Sequence, residues 1–97
     1  MKPPILRPAA AADVEDAWRW YEARREGLGD EFLEVVRAGL ESVQAHPESA
    51  PVVYRDIRRR LMRHFPYGLF YRLIRGEVVV VACFHAKRSP RIWRSRR

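Results

Sequence analysis

Apolar side chains recur at Val14, Ala17, Trp18 and Tyr21, the i, i+3, i+4, i+7 spacing of one helical face, which predicts a helix from about Ala10 to Glu26. The "EGLG" stretch interrupts the period. Phe32, Val35, Val36, Gly39, Leu40 and Val43 then resume it over three turns, with Asp30 placed to cap the start of the second helix. Pro47 ends it, because the residue before a proline is driven out of the helical region. Two amphipathic helices separated by so short a break predict an antiparallel helical hairpin. Ahead of them "PILR", residues 4–7, is short and proline-flanked, the pattern of an edge strand.

Beyond Pro47 the pattern changes. "HPESAPVVYRD" has two prolines and no period, and reads as a loop. Leu69, Tyr71 and Leu73 alternate with Phe70, Arg72 and Ile74, and Val78 to Phe84 is continuously apolar. Period two predicts a strand in the first case; the unbroken apolar run predicts a strand covered on one face by the helices and at least partly on the other. "RG" at 75–76 is a turn-sized gap that makes the pair a hairpin. Ile57–Arg63 is the preceding strand, with "HFPYG" as its connection. The predicted architecture is α+β: an N-terminal short strand and an antiparallel helical hairpin packed on a small, mainly antiparallel sheet. At 97 residues the chain is expected to form one domain.

Charge alters this picture more than overall composition does. Residues 1–56 carry seven basic and eleven acidic side chains, whereas residues 57–97 carry twelve basic side chains and one acid, Glu77. Seventeen of the nineteen basic residues are arginine, which suits bidentate contacts to phosphate or carboxylate. The second half therefore calls for a polyanionic partner, either nucleic acid or an acidic protein segment. The N-terminus lacks the features of a secretory signal, and Val78 to Ala86 is about half the length a membrane-spanning helix needs, so a cytoplasmic protein that does not enter a membrane is expected.

Several chemistries find no support. Cys83 is the only cysteine, so no internal disulfide or thiolate cage can form, and its place in "VVVVACFHA" makes it a buried, inert thiol. His46, His64 and His85 stand at no metal-ligand spacing, so neither a metal nor a cofactor is expected. "GLGD" reads as a turn between helices. Nearly all the acids lie in the helical half, which disfavours paired-carboxylate catalysis.

What remains is a basic cluster. Arg58, Arg59, Arg60, Arg63 and His64, with His85, Lys87, Arg88, Arg91, Arg94, Tyr67, Tyr71 and Trp93, supply the residue types that clamp phosphates and stack bases. A histidine among arginines can act as general acid or base in metal-independent RNA cleavage. The same residues also read as a solvated strand face over core aromatics. A period-two count puts His85 on the face of Val79, Val81 and Cys83, where it would be packed.

"DVEDAWRWYEARREGLGDEFLEVV", "HPESAP", "RRRLMRHFPYGLFYRL" and "FHAKRSPRIWRSR" together resemble the RelE/ParE superfamily of type II toxin–antitoxin toxins, particularly its ParE-like branch. The resemblance spans almost the whole chain and implies the same fold. It also implies a growth-inhibiting toxin neutralised by a cognate antitoxin whose acidic segment wraps it. ParE-like members poison DNA gyrase and lack a catalytic constellation of their own. RelE-like members are ribosome-dependent messenger-RNA endoribonucleases that use basic sheet residues and, in several cases, a C-terminal tyrosine. Here Trp93 stands where that tyrosine is expected, and an indole cannot exchange a proton. Gyrase poisoning is thus the first expectation, RNA cleavage by Arg58, Arg63, His85, Lys87 and Arg88 the second, and a non-toxic or decayed binding module the third. Antitoxin or target would bind Arg58, Arg60, Arg63, Tyr71, Arg88, Trp93 and Arg94, and charge reversal at Arg58, Arg60 and Arg63 is expected to weaken antitoxin binding.

Overall fold

The computed structural model describes residues 2–97. The chain runs β1 (Ile5–Leu6), α1 (Pro8–Arg24), α2 (Leu28–Ala45), β2 (Val52–Tyr54), β3 (Ile57–Leu61), β4 (Tyr67–Ile74), β5 (Glu77–His85) and α3 (Arg91–Arg94). The strands form one sheet in the order β1-β5-β4-β3-β2, with β1 parallel to β5 and every other pair antiparallel. This is the α+β architecture expected.

α1 begins at Pro8, whose fixed φ and missing N–H suit a first helical turn. The second helix is capped differently from expectation. Its N-cap is Gly27 at φ +88, and the Glu22 carboxylate accepts the backbone N–H groups of Gly27 at 3.0 Å and Gly29 at 2.9 Å. Asp30 instead accepts the Trp18 Nε1–H at 3.1 Å. A carboxylate one turn back in α1 reaches the free N–H groups because the break is so tight, and it fastens the hairpin at the same time.

"HPESAPVVYRD" is not all loop. Its Val52–Tyr54 stretch is the edge strand β2, three residues long between Pro51 and a turn at Arg55 and Asp56, so only its pairing to β3 defines it. The β4–β5 hairpin turns at Arg75 (φ 52) and Gly76 (φ 79), the positive-φ pair of a type I′ turn. β5 is interior, but β4 occupies the middle of the sheet.

Two apolar layers flank the sheet. Phe32, Val36 and Val43 of α2 and Ala10 and Ala17 of α1 pack on Leu69, Tyr71, Val80 and Cys83. On the opposite face Ile57, Phe70, Val81, Ala82 and Phe84 gather round Trp93 of α3. A bulge sets which β5 residue faces which layer: Phe70 opposes Ala82 while Tyr71 opposes Val80, leaving Val81 as the extra residue. Val81 and Ala82 therefore both belong to the α3 layer, and the alternation is out of step beyond them.

Candidate interaction surface

The bulge corrects the period-two count for His85. It shares the helix side with Val80 and Cys83, whereas Val79 and Val81 belong to the α3 layer. The His85 ring packs edge-on against Tyr67 at 5.5 Å, and its Nδ1 accepts the Lys87 backbone N–H at 3.1 Å. The neutral ring therefore carries its hydrogen on Nε2. Half-buried His85 lines a cleft of about 550 Å³ with Asp13, Asp16, Trp20, Tyr21, Tyr67 and Arg88. Burial pushes the hydroxyl pKa of both Tyr21 and Tyr67 upward.

Arg58 and Tyr71 are structural. They oppose each other across β3 and β4, and directly opposite residues share a face, here the helix side. Arg58 Nη1 donates to the carbonyls of Glu48 at 3.1 Å and Ala50 at 2.7 Å, and the Tyr71 hydroxyl donates to Pro47 O at 2.7 Å. Together they hold the 47–51 segment down. Tyr71 is fully buried, so its ring presents nothing to a partner; burial again raises its pKa. Arg60 opposes Leu69 on the same side, and Arg63 lies in the exposed link before β4.

The residues posited for RNA cleavage do not converge. Arg63, His85, Lys87 and Arg88 gather at one end of the sheet, where Ala86 N–H donates to Pro66 O at 2.7 Å. Arg58 is in register with Tyr71 whereas His85 is in register with Tyr67, four residues along β4 and two strands across. That is about 13 Å along the strands and roughly 10 Å across them. Trp93 is 5 % exposed and stacks on Phe70 at 4.4 Å, so it is a core residue and no platform for a base. Arg94 and Arg88 are exposed, their guanidiniums 4.8 Å from the Tyr54 ring and 5.5 Å from the Phe84 ring respectively. Cys83 is buried and its thiol is pushed up to about 12 by desolvation, which removes the thiolate at neutral pH. Among the described residues no group of three or more His, Cys, Asp or Glu could hold a metal ion, and no helix is long and apolar enough to cross a membrane.

Asp13 was not singled out from the sequence. Its Oδ2 accepts the Cys83 backbone N–H at 3.0 Å, and its carboxylate is paired with Arg96, which also donates to Val81 O at 3.3 Å. Arg7 Nη1 donates to the Arg96 and Arg97 carbonyls, both at 3.0 Å, and Arg97 and Arg72 share Asp56. The C-terminal segment is thereby fixed to the sheet. Since Asp13 and Arg96 are 83 positions apart, no local pattern could have announced the pair.

A family model described as "ParE toxin of type II toxin-antitoxin system, parDE" matches residues 5–90. No curated protein matches the chain. Among solved structures, a chain of the "Chromosomal ParDE TA system from P. aeruginosa" superposes with a TM-score of 0.66 at 16 % identity, over 88 % of this chain and 96 % of that one. At that identity the likeness shows the fold alone.

Proposed function

The chain belongs to the ParE family of type II toxin–antitoxin toxins, and from that premise we propose that it arrests growth in the cytoplasm by poisoning DNA gyrase until a cognate antitoxin neutralises it. The family match over residues 5–90 carries the reading. The geometry favours gyrase over messenger RNA as the target, because Arg58 is tied to backbone carbonyls and Trp93 is packed on Phe70. The acidic antitoxin segment binds through Arg60 and Arg63, and target contacts fall to the exposed Arg88 and Arg94.

The test is brief induction in a bacterium that lacks the antitoxin, with labelled thymidine and labelled methionine followed over the first minutes. Early loss of thymidine incorporation with an SOS response is the expected result. Early loss of methionine incorporation would overturn the gyrase reading and make Arg63, His85, Lys87 and Arg88 the residues to mutate. If neither label falls, the chain is a binding module without toxicity.

A further inference from the structure

We propose that the α3 face of the sheet, from the Tyr54–Asp56 turn at one end to the Lys87–Arg88 turn at the other, is a binding site for the phosphate backbone of duplex DNA. Arg55, Lys87, Arg88, Arg91 and Arg94 are all exposed, and among the described residues none has a carboxylate partner. In the helical half Arg24 alone of the exposed helix arginines is similar, resting 3.9 Å from the Trp20 ring, and the others meet acids. There Arg19 pairs with Glu15, Arg25 with Glu31, and Arg37 with Glu34 and Glu41.

Aromatic rings take the place of acids on this face. The guanidiniums of Arg55 and Arg94 lie 5.3 and 4.8 Å from the Tyr54 ring centroid, and Arg55 Nε donates to the Tyr54 hydroxyl at 3.0 Å. Arg94 is also 5.6 Å from Trp93, and Arg88 lies 5.5 Å from Phe84. Tyr54, Trp93 and Phe84 all belong to the α3-side layer, so the array has a rigid base. A guanidinium resting on a ring is oriented while its edge donors stay free, which suits bidentate contact with phosphate oxygens.

The surface suits a stiff polyanion better than an acidic peptide. Residues 86–92 are exposed without interruption, and Ile92 is the one large apolar side chain among them. A peptide must bury apolar side chains to offset the entropy of ordering it, and the exposed 86–92 stretch offers it only Ile92. Duplex DNA is already ordered, carries one charge per about 1.7 Å, and binds such arrays through counterion release. The biological setting rests on the gyrase reading above, since gyrase holds DNA, but the binding itself is measurable without gyrase.

Fluorescence anisotropy of a labelled random-sequence duplex, titrated with the purified toxin from about 50 to 200 mM salt, tests the site. Five phosphate contacts predict a slope of log K against log salt of about −4.5, or roughly five-hundredfold weaker binding across that range. The triple variant Arg88→Gln, Arg91→Gln, Arg94→Gln should reduce the slope to about −2, the corresponding lysine variant should retain it, and Arg19→Gln with Arg37→Gln should leave it unchanged. No binding at 50 mM salt, or one slope for wild type and the glutamine variant at equal thermal stability, overturns the proposal. Tighter binding to polyglutamate than to DNA also overturns it, in favour of an acidic peptide. A separate supercoiling assay keeps the two readings apart: gyrase inhibition without DNA binding defeats the DNA site alone, and DNA binding without inhibition defeats the gyrase reading alone.

Discussion

Asp13 sits where β1 has ended and the outer edge of β5 continues without a partner strand. There one carboxylate takes the Cys83 N–H and the Arg96 guanidinium, and Arg96 takes the Val81 carbonyl exposed by the bulge. The pair is mostly buried, its side chains 10 % and 22 % exposed, so removing one partner leaves a charge and a backbone group unsatisfied. Asp13→Ala should cost about 2–4 kcal/mol in urea unfolding. The double variant with Arg96→Met should lose less than the sum of the single losses, and strict additivity would mean that the two do not cooperate. Cys83 reports on the same region. With its thiol at about 12 and its side chain buried, iodoacetamide should alkylate it at pH 8 only at the rate of unfolding, whereas rapid alkylation of the native protein would contradict that burial.

At the scale of elements, the Val81 bulge sets what β5 presents. It keeps Val81 and Ala82 under α3 while returning Cys83 and His85 to the helix side, which places His85 at the cleft with Tyr67 and Arg88. The C-terminal segment closes the other face through Trp93 and is pinned at its tip by Asp56. The hydrogen bond from Arg72, followed by that from Arg97, holds the Asp56 carboxyl below its ordinary value of 3.8. A depressed folded pKa contributes stability above the unfolded value, and that stability is lost as pH falls through the folded one. Asp56→Asn should therefore lower stability at pH 7 and flatten the loss below about pH 4. The site is exposed and screened, so the effect should be about 0.2–1 kcal/mol, measured by urea unfolding at several pH values. Equal sensitivity to acid in both proteins would show that the tip is not held by this group.

For the molecule as a whole, the charge asymmetry is also an asymmetry of pairing. Arginines of the helices largely meet acids on the same helix or across the hairpin, while most cations of the second half meet solvent, carbonyls or aromatic rings. Charge reversal at Arg58, foreseen as a probe of antitoxin binding, is unsuitable because that side chain secures the 47–51 segment. Reversal at Arg60 and Arg63 alone should weaken antitoxin affinity about tenfold or more and flatten its salt dependence without lowering the melting temperature. Isothermal titration at two salt concentrations decides it; unchanged affinity and slope would place the acidic segment elsewhere.

Both helices, the β4–β5 hairpin at Arg75 and Gly76, the β3 strand and the cationic second half could be read from the amino-acid order. Each depends on neighbours three or four positions apart, on period-two alternation, or on a plain count of charges. The break at "EGLG" was legible too, although the cap came from Glu22 rather than Asp30, because a reach back across the hairpin has no fixed spacing. Only the tertiary structure decided the rest. Strand β2 is too short to show a period and exists through its pairing with β3. The bulge arises from how β4 and β5 are matched, and it parted His85 and Cys83 from Val79 and Val81, with which the period-two count had grouped them. Asp13 and Arg96, and the sorting of arginines into those tied to the fold and those left free, depend on groups brought together from opposite ends of the chain. Coulombic and hydrogen-bonding partners are chosen by distance in space, and along the sequence that distance is invisible.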